Sequence, residues 1–310
     1  MKRTAPIRTK LEGIYIQVNT PYNEDESINF ASIKAHTKFL AENGVTGIIP
    51  SGSTGEITAL TKEEQIAINK AYIDAAKENG IKCIASTGAY RTVDAVEMSI
   101  AAEKDGADGV MVVTPWYMAP NHKELKAHYK AIHEAITIPL MMYHNPYYST
   151  CLLDDKFIAE LYNEGFIDAV KERQADVFRQ QNLRHLTDEN FSIFYGYDVC
   201  PVETLSCWSD GWVCGTGNLF PKENSEVYKL AKEKRMVEAM EAHTTKIRPY
   251  LHLFSEADSN GDVLWLQIIK EGLKMRGVNA GYSRKPVLSD LPEETVVRLK
   301  DTLKQYGYLN

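Results

Sequence analysis

The sequence predicts an α/β fold: a (β/α)8, or TIM, barrel with a C-terminal helical extension. Eight short apolar runs alternate with helix-like stretches, and after Pro221 this alternation gives way to long charged helical segments. The apolar runs are 13–18, 47–50, 83–86, 109–113, 140–143, 167–171, 192–195 and 211–215. A doubly wound open sheet is the competing fold, but no GxGxxG motif follows the first run and the alternation continues to eight.

The segments between the runs carry helix signals. Thr61 to Glu64 forms a capping-box pattern, Asn121 to Glu124 repeats it, and Ile33, Phe39 and Leu40 recur at helical spacing. We therefore expect residues 1–221 to form the barrel with the active site, and residues 222–310 to form the last barrel helix and the extension. Helices are predicted at 224–247, 262–276 and 292–306.

Composition narrows the class of protein. The chain has 310 residues, 44% of them hydrophobic, and a net charge of -7 with interspersed signs. There is no basic stripe for nucleic acid and no apolar run of the roughly 18 to 20 residues that a membrane span needs. No apolar segment follows the basic N-terminus as in a secretory signal, so a cytoplasmic protein without nucleic-acid or membrane partners is expected.

The spacing of the cysteines and histidines argues against a metal site and against a cofactor that is bound through a metal. The five cysteines are odd in number and lack paired ligand spacing, which favours reduced thiols over disulfides or zinc. The eight histidines form no HxH or HExxH pattern. We expect an enzyme that uses side chains alone.

Two reactive groups end successive runs: Tyr143 closes 140–143 and Lys171 closes 167–171. An ammonium at the end of a buried strand loses hydration, so its pKa falls and a neutral amine becomes available to attack a carbonyl. The alternatives are a lysine that reaches solvent and a core tyrosine with a satisfied hydroxyl.

Other polar residues follow the remaining runs. The second run leads into the turn Gly52-Ser53-Thr54-Gly55-Glu56, whose hydroxyls and backbone N–H groups suit a carboxylate or phosphate, although an ordinary loop has the same composition. In a barrel such loops meet at the carboxyl ends of the strands. A hydroxyl, a phenol and an amine that converge there suit imine chemistry, which needs a nucleophile and a proton shuttle.

Four ordered motifs carry a family resemblance. GSTGE, TPWY, YHNP and VKE, in this order, resemble the dihydrodipicolinate synthase and N-acetylneuraminate lyase family over about residues 12–290. The resemblance implies a barrel enzyme whose lysine, here Lys171, forms an imine with pyruvate or another 2-oxo acid, while Tyr143 relays protons.

The same resemblance assigns further residues. It implies that Ser53 and Thr54 form the hydroxyl pair, with Thr54 and the backbone through Gly55 as anchor for the pyruvate carboxylate. Tyr117 matches a tyrosine that a neighbouring subunit inserts, which implies a homo-oligomer, commonly a tetramer built of dimers. Val213 matches a position whose backbone lies beside the pyruvate pocket.

The chain also departs from the family. The synthases have an arginine for the second substrate's carboxylate where this chain has Tyr148, and His144 replaces an asparagine. Arg173 restores a guanidinium if the strand persists that far; otherwise it pairs with a surface carboxylate such as Asp176. Asp198 either contacts substrate hydroxyls, as in the lyases, or caps a helix.

The predicted activity is a Schiff-base-forming carbon–carbon lyase or aldolase. The named alternatives are dihydrodipicolinate synthase, a dehydratase of 3-deoxy-2-oxo sugar acids, a non-catalytic 2-oxo acid binder, and a phosphate-binding barrel without covalent chemistry. Aromatic residues in or near the loops favour an apolar or ring-bearing aldehyde if two or more face the cavity. They are Trp116, Tyr147, Tyr148, Trp212 and Phe220.

Overall fold

Eight parallel strands close into a barrel in which each strand pairs with the next along the chain and the last returns to the first. This computed structural model describes residues 8–258 and 264–310. The strands are β1 Gly13–Gln17, β2 Gly47–Ile49, β3 Lys82–Ser86, β4 Gly109–Val113, β5 Leu140–His144, β6 Ala169–Glu172, β7 Ser192–Tyr195 and β8 Gly211–Cys214. The predicted (β/α)8 barrel is confirmed.

Helices connect the strands and extend the chain beyond the barrel. They are α1 Phe30–Glu42, α2 Lys62–Glu78, α3 Thr92–Asp105, α4 His122–Ala135, α5 Pro146–Ser149, α6 Asp155–Asn163, α7 Val177–Leu186, α8 Pro201–Ser206, α9 Pro221–Lys232, α10 Met236–Ala242, α11 Arg248–Asp258, α12 Trp265–Met275 and α13 Glu293–Gln305. Both predicted capping boxes form, at Thr61 and Asn121. The short helix α5 was not predicted; Asn145 caps it and Pro146 occupies its first turn.

The barrel interior is a packed core and not a channel. Side chains such as Tyr15, Ile49, Met111 and Phe194 fill it, and a larger apolar layer separates the strands from the surrounding helices. Because the interior is filled, polar groups at the carboxyl ends of the strands meet in a confined space above this core.

The C-terminal extension differs from its prediction in two respects. Helix α11, Arg248–Asp258, lies between the first two predicted stretches and was not predicted. The predicted helix 224–247 is interrupted after Lys232, because Lys234 adopts a left-handed conformation with φ of 63° that cannot continue an α-helix. The predicted helix 262–276 is seen from Trp265, and Asp262 lies outside the described residues. Helix α13 agrees within one residue at each end.

The extension has its own apolar core, which the loop after β8 joins to the barrel through Leu219 and Phe220. Its other members include Ile268, Leu273 and Leu299 from α12 and α13. The chain segments described here contain no helix with both the length and the apolar character that a membrane crossing requires.

Candidate active site

Lys171 lies on β6 with its side chain inside the barrel and only 1% exposed. Its Nζ sits 3.7 Å from the centroid of the Tyr143 ring and donates a hydrogen bond to Oε1 of Gln17 at 2.8 Å. A Cβ at Gly196 would lie 2.7 Å from Cε of the lysine, so glycine at this position leaves the amine its space. The alternative of a lysine that reaches solvent is therefore wrong.

The environment of Lys171 favours the neutral amine. Burial lowers the pKa of Lys171 to about 7; the negative charge of Asp198 opposes this shift and the positive charge of Arg173 adds to it. Near neutral pH a large fraction of the amine is unprotonated. It can act as a nucleophile without a separate general base.

Tyr143 stands directly beside the lysine, since the two are paired in the register of β5 and β6. Burial raises the pKa of Tyr143 to about 12, so the phenol is neutral. Asn145 Nδ2 donates to its oxygen at 2.8 Å, and Ser53 approaches the same hydroxyl. Because the oxygen accepts from Asn145, the phenolic proton is left for a substrate oxygen, as a proton relay requires.

The glycine-rich turn after β2 brings Ser53 and Thr54 to the cavity. Gly55 does not line the cavity: its carbonyl accepts from Thr20 Oγ1 at 2.7 Å, and a Cβ there would lie 2.8 Å from the backbone nitrogen of Ser51. Gly55 therefore shapes the turn, whereas its neighbours face the site.

Arg173 lies on the same side of the strand as Lys171, because its N–H continues the β-pairing to the His144 carbonyl at 3.2 Å. The guanidinium is stacked between the rings of Tyr147 and Tyr197, at 4.5 Å and 3.9 Å from their centroids. It lines the cavity and forms no salt bridge with a carboxylate of the described residues. Asp176, the proposed surface partner, instead accepts from Phe178 N at the start of α7.

Asp198 is buried at the cavity wall. Its Oδ2 accepts from the backbone N–H groups of Gly215 and Thr216, each at 3.0 Å, and burial raises the pKa of Asp198 to about 6. It does not cap its own helix, since Cys200 holds that position in α8. Its Oδ1 has no hydrogen-bond partner within the described parts of the chain.

Ser53, Thr54, Tyr143, Arg173 and Asp198 line a cavity of about 310 Å³ above the barrel core, the catalytic cavity. Val213 and Tyr148 also line it, and helices α11 and α12 supply an apolar wall. That wall consists of Leu251, Phe254, Leu264, Trp265 and Ile269. The predicted boundary at residue 221 therefore runs through the cavity: the reactive groups belong to residues 1–221, whereas the apolar wall belongs to residues 222–310.

A second cavity of about 290 Å³, the side cavity, adjoins the first and shares Ser53, Tyr143, Tyr148 and Trp265 with it. Trp116 lines this side cavity together with apolar residues such as Val113 and Ile57. Of the predicted rim aromatics, Tyr148 lines both cavities and Trp116 lines only the side cavity, so a single one faces the catalytic cavity and the condition for a ring-bearing aldehyde is not met there.

The remaining aromatics lie elsewhere. Tyr147 supports Arg173, Trp212 donates its indole N–H to the Tyr197 carbonyl, and Phe220 packs in the C-terminal core. Tyr117 is 90% exposed with φ of 73° and lines neither cavity. This chain does not bring Tyr117 to its own lysine.

The His144 substitution is outside the cavity. Its Nδ1 lies 2.7 Å from Oε2 of Glu172, which also accepts from Arg179 Nε at 3.1 Å. His144 follows Tyr143 and Glu172 follows Lys171, which both face inward, so His144 and Glu172 point outward between barrel and helices. The departure from the family pattern therefore leaves the reactive groups untouched.

Sequence reasoning missed Gln17 and passed over Asn145 and Gly196. The signal for Gln17 was available, because it is the one uncharged polar side chain within the apolar run 13–18. The contacts of the other two with Tyr143 and Lys171 follow only from the barrel geometry.

The described residues contain no group of three or more His, Cys, Asp or Glu side chains that could hold a metal ion. All five cysteines are free thiols.

The chain is similar to known proteins over nearly its whole length. Residues 10–306 match the model of the dihydrodipicolinate synthetase family. A 4-hydroxy-tetrahydrodipicolinate synthase of Methanocaldococcus jannaschii is 31% identical over 301 residues, which is 96% of this chain and 99% of that protein.

Solved structures agree with this similarity. The dihydrodipicolinate synthase of Aquifex aeolicus superimposes with a TM-score of 0.86 at 26% identity, covering 96% of this chain and 99% of the other. The N-acetylneuraminate lyase of Fusobacterium nucleatum superimposes with a TM-score of 0.85 at 28% identity and the same coverage.

Proposed function

The chain belongs to the dihydrodipicolinate synthetase family, and from this premise we propose that Lys171 forms an imine with pyruvate or a related 2-oxo acid. The predicted family and the enzyme class, a Schiff-base-forming lyase or aldolase, are confirmed by the relatives on both the synthase and the lyase side. The assignment of individual residues to steps is our proposal.

Imine formation begins with the neutral amine. The Nζ lone pair of Lys171 attacks C2 of the 2-oxo acid, and the carbonyl electrons move to the C2 oxygen. Tyr143 passes its proton to that oxygen and recovers one from the nitrogen, which yields a carbinolamine. Tyr143 then protonates the hydroxyl, which leaves as water, and the nitrogen lone pair forms the protonated imine.

The protonated imine is the electron sink. In cleavage, the C3–C4 bond electrons move toward the imine as the C4 hydroxyl loses its proton, which releases an aldehyde and leaves an enamine. Condensation is the reverse. Ser53 and Thr54 face the cavity where the 2-oxo acid carboxylate would lie, and their hydroxyls can donate to it.

The acceptor side of the cavity suggests the partner aldehyde. Arg173 offers a charged fork that pairs with no carboxylate of the described residues, and its flanking tyrosines hold the plane of the guanidinium. The wall that α11 and α12 supply is apolar and includes Trp265. We propose an aldehyde that carries an anionic group for Arg173 and hydroxyls within reach of Asp198.

One observation carries the proposal: an amine 1% exposed, 3.7 Å from a phenol ring, has its pKa lowered to about 7. The test incubates the protein with pyruvate and borohydride, then maps the adduct by mass spectrometry. A single reduced adduct on Lys171, absent in Lys171→Met, is expected. An unmodified lysine, as in a simple binder or a non-covalent phosphate-binding barrel, contradicts the proposal.

A second candidate is 4-hydroxy-tetrahydrodipicolinate synthase, favoured by the name of the relatives and by a guanidinium in the cavity. Its second substrate, aspartate semialdehyde, bears a carboxylate, which Arg173 would hold because Tyr148 occupies the usual arginine position. An aldehyde screen with pyruvate decides. Turnover of aspartate semialdehyde alone supports this candidate, and preference for uncharged aromatic aldehydes contradicts any anionic acceptor.

The variant Arg173→Met sharpens this test, because it removes the charge and keeps an apolar side chain of similar length. A rise in KM of about 10-fold or more is expected for an anionic aldehyde, with KM for pyruvate little changed. Tyr148→Phe is the matched control at the same wall. Equal loss for charged and uncharged aldehydes would assign Arg173 to packing only.

We also propose a cytoplasmic homo-oligomer, a tetramer built of dimers, in which Tyr117 of one subunit reaches the site of another. Tyr117 supports this, because its ring is 90% exposed on a strained backbone and lies outside its own cavity.

A further inference from the structure

Gln17 is the last residue of β1, and among the described residues it makes the one side-chain hydrogen bond to the amine of Lys171. Its Oε1 accepts from Nζ at 2.8 Å, and only 7% of the residue is exposed. The backbone is fixed on both sides: Gln17 pairs with Ile49 of β2, and its carbonyl accepts from Asn218 Nδ2 at 2.9 Å. The amide is thus held at the reacting nitrogen by rigid elements.

The other end of this amide is unsatisfied. Nε2 is buried and has no hydrogen-bond partner in residues 8–258 and 264–310, although Gln17 lines the catalytic cavity. A buried donor without a partner is unfavourable, so it calls for a partner that arrives with the substrate. Glycine at position 52 leaves room for the amide itself, because a Cβ there would lie 2.1 Å from Nε2.

The edge of a primary amide matches the group formed at Lys171. In the amide, an acceptor oxygen and a donor nitrogen are separated by one carbon. In a carbinolamine, the lysine N–H and the C2 oxygen are also separated by one carbon. The two edges can therefore form a pair of parallel hydrogen bonds, N–H to Oε1 and Nε2–H to the C2 oxygen.

We propose that Gln17 is a catalytic residue of the imine step, which holds the lysine nitrogen through Oε1 and the C2 oxygen of the 2-oxo acid through Nε2. This inference rests on the proposed function. During attack, Nε2–H stabilises the charge that develops on the C2 oxygen. When that oxygen leaves as water, the protonated imine keeps a single N–H, and this N–H donates to Oε1.

The hydrogen bond to Oε1 changes character during the reaction. With the neutral amine it is an ordinary bond, whereas with the protonated imine it is charge-assisted and stronger in a buried site. Gln17 therefore favours the protonated imine over its neutral form. Burial alone would favour the neutral form, which is a poor electron sink.

Two substitutions separate this role from packing. Gln17→Met keeps the shape and removes both the donor and the acceptor; Gln17→Glu keeps an acceptor and adds a charge. The probe is pyruvate, and the measurement is exchange of its C3 hydrogens with deuterium oxide, followed by NMR across pH. This exchange passes through the protonated imine and its enamine.

We expect Gln17→Met to slow exchange by about 10- to 100-fold and to move the alkaline limb of the profile, where the imine loses its proton, to lower pH. Gln17→Glu should move that limb to higher pH. Borohydride should still trap an adduct on Lys171 in both variants, which shows that they fold. Wild-type rates and unchanged profiles in both would overturn the proposal, while failure of the wild-type protein to form any adduct would instead overturn the proposed function.

Discussion

A buried lysine that must lose its proton to react also affects folding. The pKa of Lys171 is about 7 in the folded protein and close to 10.5 in an unfolded chain, so the unfolded state binds more protons between these values. In this window the cost of burying the ammonium disappears as pH rises. Lys171 therefore lowers stability most below pH 7.

Lys171→Met removes that cost, so the variant should gain stability relative to wild type at pH 6 and lose most of the advantage by pH 9. Between pH 6 and pH 9, the stability advantage of the variant over wild type should shrink by on the order of 2 to 3 kcal/mol, measured by urea unfolding at both pH values. Lys229→Met, at an exposed lysine, is the control and should show no such trend. A pH-independent difference for Lys171→Met would mean that the buried amine titrates normally.

Tyr143 is expected to act through its proton and not through its ring. Tyr143→Phe keeps the ring beneath the amine and removes the hydroxyl, so kcat should fall by about 10² to 10⁴. Adduct trapping on Lys171 should be slower but still observed. Tyr129→Phe, which removes a buried hydroxyl bonded to the Val112 carbonyl on the helix side, is the control and should keep kcat near wild type.

At the level of elements, the turn after β2 depends on the extension. Glu56 in this turn accepts from Lys270 of α12 through Oε1, at 2.5 Å, and from the backbone N–H of Arg284 through Oε2, at 3.0 Å. Lys270 also donates to the carbonyl of Thr20, which lies in the loop after β1. A buried ion pair thus holds the turn with Ser53 and Thr54 against α12.

Lys270→Met should destabilise the protein by about 3 to 5 kcal/mol, because it leaves the carboxylate of Glu56 buried without its partner. The KM for pyruvate should also rise as the turn loosens. Urea unfolding measures the first effect, and the double variant Glu56→Gln/Lys270→Met should recover part of the loss. Lys274→Met, at the half-exposed ion pair of Lys274 with Glu271, is the control and should change stability little. A loss as small as this for Lys270→Met would contradict the role of the Glu56–Lys270 pair.

On the scale of the whole molecule, Phe39 packs against both apolar cores, and helices α11 and α12 of the extension line the cavity at the barrel mouth. The reactive groups come from the barrel, whereas one cavity wall comes from α11 and α12. Changes in the extension can therefore alter substrate choice without touching the imine chemistry.

Tyr117 provides a test of assembly. If subunits complete one another, Tyr117→Ala should lower kcat while each subunit keeps its fold, and specific activity should fall on dilution as the oligomer dissociates. Sedimentation velocity would follow the mass. Met118→Ala, at the neighbouring exposed side chain, is the matched control for lost contact area. A fully active monomer would contradict the proposed shared site.

The sequence by itself determined the barrel, its strand order and the position of Lys171 and Tyr143 at successive strand ends, because apolar periodicity and strand alternation are local patterns. It also carried the family motifs, which need only order along the chain. The sequence did not predict the break at Lys234, because this break depends on one left-handed backbone conformation that the charged helical composition does not reveal.

Only the tertiary structure decided what surrounds the amine. Gln17 and Lys171 are 154 residues apart, and their contact exists because β1 and β6 face the same closed interior. Likewise, Arg173 points to the cavity and not to Asp176 because strand pairing continues past β6. Contacts across a barrel depend on closure and register, which bring distant residues together and leave no spacing signal in the chain.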